Sequence, residues 1–358
     1  KPGFVPCRPY PYASERSPEP FVIPPINGTI KENESRRHMF KEVKNGRQFA
    51  GQAIIQGITV KAAKNGSQYA DANLTNHDET VPVKIWEIQP DSIMTYNNKA
   101  IDFTATRSDY NGKLQFVLDS FSINPTLQLR DLLPASYWDN AQLKEGFNHF
   151  LMKITDPIYQ HLVRTLYNDT DDAIIDKLSE MPAAIRMHHA FIGGLYTHTL
   201  SMAYEAEGIL THTIYAKTIN QSLLYAGILL HDLGKAFCYT NATDHTATKQ
   251  ANLLEHVAII DGMIVDYARN TLHLNYAASL NDEHILNLRH LVLSHHGKLE
   301  YGAAIKPATP EAMLLHHVDD LDAHMEMMRM AESDLKPGTV ADQRNFGLDG
   351  AFVYHSTL

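Results

Sequence analysis

The chain changes its hydrophobic texture along its length. Between residues 49 and 124 lie short runs rich in β-forming residues, the texture of strands: "FAGQAIIQGITVKAA" (49–63), "SQYADANLTN" (67–76), "TVPVKIWEI" (80–88), "AIDFTATRSDY" (100–110) and "LQFVLDSFSI" (114–123). Turn-forming stretches, "KNG", "NHDE" and "YNGK", lie between neighbouring runs, where Gly and Asn supply the backbone angles that hairpins need. Five short strands in so few residues predict a small Greek-key barrel of the OB type. After Pro125 the hydrophobic pattern takes a period of about 3.6 residues. The segments 136–154, 157–168 and 172–181 show it, and helical patterns continue to about Ser333.

These textures predict an α+β chain with an OB-like barrel over 31–125 and an all-α bundle over 126–335, followed by a tail over 336–358. Residues 1–30 carry Pro2, Pro6, Pro9, Pro11, Pro18, Pro20, Pro24 and Pro25. Proline removes backbone donors and fixes φ, so an irregular arm is expected there.

Composition narrows the function classes. At 358 residues the chain is long enough for two hydrophobic cores. Every apolar run is broken by a polar residue before it could span a bilayer, so no membrane partner is expected. The two cysteines, Cys7 and Cys238, sit far apart in dissimilar surroundings. A reducing, cytoplasmic setting is therefore expected over a disulfide framework. No secretory signal pattern follows Lys1.

A formal charge of −10 weighs against a uniformly basic nucleic-acid binder. One stretch departs from that total: Lys31, Arg36, Arg37, Lys41, Lys44, Arg47, Lys61 and Lys64 face only Glu32, Glu34 and Glu42. It reads equally well as a phosphate-guiding patch or as a solvated surface.

The twenty histidines carry more information, because most of the excess falls after His188. Five helical segments each bring a candidate metal ligand: His198, then His231 with Asp232 at the end of "LLYAGILLHDLGK", then His256, then His295 with His296, then Asp319 among several candidates. A single histidine on an apolar helix is usually a hydrogen-bonded core residue, and His149, His161, His212, His273 and His284 are read that way. A buried His-Asp pair is costly without a compensating charge, which a divalent cation supplies. Asp232 has two oxygens with which to bridge two ions. Lys235 lies about one turn beyond, placed to meet an anion such as phosphate, and Gly234 is expected to let the backbone turn sharply.

The order His, HD, His, HH, Asp on consecutive helices resembles the HD superfamily of metal-dependent phosphohydrolases. More narrowly, "HHAFIGGLYTHTLSM", "LLYAGILLHDLGK", "LLEHVAII", "LVLSHHGKLEYGA" and "EAMLLHHVDDLDAHMEMM" are similar to the YhaM-type 3′→5′ exoribonucleases, in which an OB-fold precedes an HD domain. The resemblance covers about residues 49–333. It implies one metal held by His198, His231, Asp232 and Asp319, and a second held by Asp232, His256, His295 and His296. It further implies that Lys235, with His189 or Lys298, touches phosphate.

Two cations would activate water and clamp a phosphodiester, with Asp232 and Lys235 as the catalytic pair. Imidazole and carboxylate ligands suit manganese, iron or nickel, whereas magnesium prefers sites richer in oxygen, and manganese is the expected ion. Among the barrel aromatics Phe49, Tyr69, Trp86, Phe103 and Phe116, core packing is the first expectation for any one, with Tyr69 and Trp86 as candidates for stacking on bases. The expected activity is removal of nucleoside monophosphates from the 3′ end of single-stranded RNA, with single-stranded DNA a second substrate and a homo-oligomer allowed. The rival readings are an HD phosphodiesterase or nucleotidase acting on small or cyclic nucleotides, and a relaxase-associated nucleic-acid-binding module.

Overall fold

A computed structural model describes residues 39–63, 65–77, 79–168, 177–184, 187–239 and 246–358. The proline-rich arm, Cys7, Lys31, Arg36, Arg37, Lys64 and the first half of the 172–181 segment lie outside the described residues.

Strands β1 (Gln48–Ala62), β2 (Gln68–Asn76), β3 (Glu79–Trp86), β4 (Lys99–Arg107) and β5 (Phe116–Ile123) close a barrel in the order β1-β2-β3-β5-β4. All pairs are antiparallel except β3 with β5, which is the expected OB topology. β1 is long because it serves two partners, β4 along its first half and β2 along its second. The register shifts between Gln56 and Thr59, where Gly57 takes a φ of +66°. Such a bulge bends one strand around the barrel wall at a position that favours glycine.

Alternate residues fill the lumen, among them Ile55, Leu74, Val83, Ile85, Ile101, Phe103 and Phe116. One end is plugged by Phe40 from a one-turn helix, Met39–Glu42, whose ring lies 5.8, 6.2 and 5.9 Å from those of Phe49, Phe103 and Phe116. The Phe40 amide donates to Glu79 Oε2 at 2.8 Å, which ties the plug to β3. Three of the five barrel aromatics are therefore committed to the core. Tyr69 and Trp86 lie on the outer face.

Among the described residues seven longer helices follow: α1 (Asn140–Lys153), α2 (Pro157–Asn168), α3 (Gly194–His212), α4 (Gln221–Leu230), α5 (Lys249–Asn270), α6 (Glu283–Ser294) and α7 (Pro310–Ser333). Side chains at Asp139, Asn220, Thr248, Asp282 and Thr309 cap the amides that open α1, α4, α5, α6 and α7. α4 decides the architecture. It is apolar on every side and buried from Ser222 to Leu230, so it must be surrounded. α1, α2, α3, α6 and α7 all pack against it. The residues that follow its last turn are consequently delivered into the bundle interior.

The segment between barrel and bundle is pinned at both ends. Leu132 packs with Ile54 and Ala100 on the barrel wall, and Ser136 donates its amide to the carbonyl of Ile192 ahead of α3. At the other end of the chain, residues 336–358 fold back on α7, where Leu348 and Val353 pack with Met327. Among the described residues no helix is long and apolar enough to cross a membrane.

Candidate metal centre

α4 ends at Leu230, and His231 and Asp232 turn straight into a 3-10 turn, Leu233–Phe237. His198 comes from the second turn of α3, His256 from α5, His295 and His296 from the end of α6, and Asp319 from α7. All seven converge. His231 Nε2 lies 3.3 Å and His198 Nε2 3.7 Å from Asp232 Oδ2, while His256 Nε2 lies 3.1 Å and His295 Nε2 3.9 Å from Asp232 Oδ1. Asp319 Oδ1 is 3.2 Å from His198 Nε2. The His296 ring lies 4.1 Å from that of His295 and 5.2 Å from that of His256. The two oxygens of Asp232 thus face two different histidine groups, His198 with His231 and His256 with His295.

Three local devices bring this about. Glu255 interrupts α5 with φ 64° and ψ 158°, a region that costs a non-glycine residue of order 1–3 kcal/mol. The break turns His256 toward Asp232. Gly234 acts through space rather than through its torsion, contrary to the expectation of a sharp turn: it has no left-handed φ, and a Cβ there would meet the His256 carbonyl oxygen at 2.2 Å. Gly194 is likewise a close approach, since its Cβ would lie 1.9 Å from the His189 carbonyl oxygen.

The distal nitrogens set the tautomers. His231 Nδ1 donates to the Ile228 carbonyl at 2.8 Å and His295 Nδ1 to the Val292 carbonyl at 2.6 Å, leaving each Nε2 with a lone pair aimed inward. His198 Nδ1 bonds Asp322 Oδ2 at 2.6 Å. Buried side-chain nitrogens and oxygens normally find partners. Here His231 Nε2, His256 Nε2, His295 Nε2, His296 Nδ1 and Asp232 Oδ1 have no hydrogen-bond partner, although all are buried at the same point.

The charge states also suit a cation. Burial opposes the charge of Asp232, but Lys235 and His231 outweigh it and hold the carboxyl well below the usual range. Asp319 is held low in the same way, with burial outweighed by His198 and His231. Burial, reinforced by His296 and His231, keeps His295 neutral far below its ordinary pKa. For His198, burial is outweighed by its bonds to Asp319 and Asp322, which raise its pKa to about 10. A cation at its Nε2 would displace that proton, because ligand imidazoles are neutral. Ionised carboxylates, neutral imidazoles and unpartnered inward lone pairs are the donor set of a divalent metal centre.

The remaining sequence candidates divide. Lys235 sits at the centre, its Nζ 2.7 Å from Asp232 Oδ2. His189 is buried, with Nε2 bonded to Asp322 Oδ2 at 2.7 Å. Lys298 is exposed, and its Nζ rests over the Tyr301 ring at 4.7 Å. Tyr69 and Trp86 are cross-strand partners with ring centroids 5.0 Å apart, and Lys84 Nζ lies 4.6 Å from the Tyr69 ring.

Sequence reasoning missed Asp322, which receives both His189 and His198 on one oxygen. It follows Asp319 by three positions in "DDLD", one turn along the same helix face. Replacing Asp322 with Asn removes the charge that orients His198. Metal titration should then give an affinity lower by about 10–100-fold. An affinity equal to that of the parent would contradict this positioning.

The HD domain family model matches residues 195–324, the span that runs from α3 into α7. Two relatives extend over most of the chain. The 3'-5' exoribonuclease YhaM of Shouchella clausii is 32% identical over 315 residues, covering 86% of this chain and 93% of that protein. The 3'-5' exoribonuclease YhaM of a Geobacillus species is 30% identical over 313 residues, covering 86% and 92%. The solved mitochondrial single-stranded DNA binding protein of S. cerevisiae aligns with 22% of this chain and 96% of its own at 10% identity, with a TM-score of 0.19, too slight a likeness to bear on the fold.

Proposed function

Because the chain belongs to the YhaM family of 3′-5′ exoribonucleases, we propose a division of work in which the barrel holds the RNA strand and the histidine cluster cuts it. The protein is a metal-dependent phosphodiesterase that shortens RNA from its 3′ end. Hydrolysis joins a water oxygen to phosphorus and breaks the bond to the 3′ oxygen of the preceding nucleotide, which takes up a proton. A nucleoside 5′-monophosphate leaves.

When bound, divalent cations lower the pKa of water and screen the anionic phosphodiester. The observation that carries the reading of two ions is the split of Asp232, with Oδ2 toward His198 and His231 and Oδ1 toward His256 and His295. We assign one ion to His198, His231, Asp232 and Asp319, and the other to Asp232, His256, His295 and His296. Five imidazoles with two carboxylates suit manganese, iron or nickel, and we take manganese as the working ion. The protein's own part is positioning. Carbonyls of Ile228 and Val292 hold two imidazoles in register, and the Lys235 ammonium supplies positive charge where phosphate oxygens must approach.

On the barrel, Tyr69 and Trp86 offer a stacking surface with Lys61 and Lys84 beside it, both lysines paired with Asp71 at 2.7 Å. Such a surface binds bases and phosphates without reading the 2′-hydroxyl, so single-stranded DNA should also bind. Cys238 is a buried free thiol, which suits a reducing cytoplasm.

Protein purified without chelator and loaded with manganese should hold close to two ions per chain by elemental analysis, and the Asp232→Ala variant markedly fewer. Stoichiometric binding of one ion in the parent would overturn the two-ion assignment.

A further inference from the structure

A cleft of about 480 Å³ opens beside the centre. His256 and His296 form its floor, Leu254 and Leu293 are on its walls, and Tyr301 stands at its rim. Its character differs from that of the cluster. Leu254 and Tyr301 are 57% and 53% exposed, so the cleft presents apolar and aromatic surface to solvent directly above two of the histidines. The α5 break at Glu255 shapes this place, because it turns His256 inward while leaving Leu254 at the edge.

We infer that this cleft seats the 3′-terminal nucleoside of the strand, the one released as monophosphate. The inference rests on the exoribonuclease reading and adds to it the side chains that hold the leaving nucleotide. Three features select that occupant. The floor consists of histidines proposed to hold one ion, so a ligand in the cleft is adjacent to the scissile phosphorus. The Tyr301 ring and the Leu254 side chain offer apolar contact to a flat base, and stacking of this kind tolerates every base. Lys298, whose Nζ lies 3.4 Å from Tyr301 Oη, adds a positive charge at the rim where the anionic strand enters. An enzyme that removes any nucleotide from an end needs a seat of that tolerance.

The test is equilibrium binding of adenosine 5′-monophosphate and, separately, of inorganic phosphate to the manganese-loaded full chain. Tyr301→Ala and Leu254→Ala should each weaken nucleotide binding about tenfold, which is the loss of roughly one stacking or apolar contact. Tyr301→Phe should bind like the parent, because the ring is retained. Inorganic phosphate should bind all four proteins alike. Nucleotide affinities of Tyr301→Ala and Leu254→Ala equal to the parent's would overturn the inference. So would phosphate binding that falls in step with nucleotide binding, which would mean a damaged centre. A parallel assay on 5′-labelled RNA separates the two readings. If the parent shortens RNA while nucleotide binding ignores Tyr301, only the cleft is wrong. If nucleotide binding depends on Tyr301 but RNA is untouched, the exoribonuclease reading fails and the cleft remains a mononucleotide site.

Discussion

Replacing Asp232 with alanine is expected to lower RNA hydrolysis by about 10³-fold or more, since losing a shared ligand removes several kcal/mol of transition-state stabilisation. The helical fold should survive. Asp232 follows the last turn of α4 and contributes to the centre, whereas the core is built by the apolar residues around that helix. Circular dichroism should therefore match the parent while the rate collapses. His149 is the control, because it lies away from the centre, 3.7 Å from Glu207. An equal loss of rate in His149→Ala would show that the assay reports general destabilisation instead of the loss of a ligand.

The second large effect concerns the barrel. Replacing Tyr69 and Trp86 together with alanine should weaken binding of long single-stranded RNA by about 10–100-fold, at roughly 1–3 kcal/mol per stacked base. The constant for a dinucleotide should change less than twofold, because so short a substrate engages only the centre. Both side chains lie on the outer face and alternate with core residues Ala70 and Ile85, so their loss leaves the lumen packed. Point substitution is preferable to removing the barrel, which would uncover Leu132 where it packs on Ile54 and Ala100. Binding due to Lys61 and Lys84 should fall with added salt. Equal weakening for long and short substrates would remove the barrel from RNA recognition.

Much of this architecture was legible from two signals. Runs rich in β-forming residues, bounded by turn signals, marked all five strands, and the 157–168 segment matched α2 to the residue. That these side chains gather at one point was legible because histidines and carboxylates on successive helices have few reasons to coincide in one bundle.

What stayed hidden depended on distances between elements. Period-two alternation does not tell which face of a strand becomes the lumen, so Phe103 and Phe116 could be weighed as base-stacking residues until barrel closure buried them. The bond that the loop before α3 lets His189 make to Asp322 was not legible either, because the two residues lie on separate elements. Gly234 resembled a turn glycine, whereas its reason lies 22 residues away in the His256 carbonyl. The break at Glu255 has no sequence signature, since glutamate is an ordinary helix former.

The account's central claim is that a divalent-metal centre built on His231 and Asp232 degrades RNA from the 3′ end, and the most direct measurement follows single-stranded RNA labelled at its 5′ end. With manganese, the parent should produce a descending ladder of labelled fragments and unlabelled nucleoside monophosphates, and chelation should stop it. Labelled mononucleotide appearing first, internal fragments without a ladder, or cleavage indifferent to chelator would contradict the account.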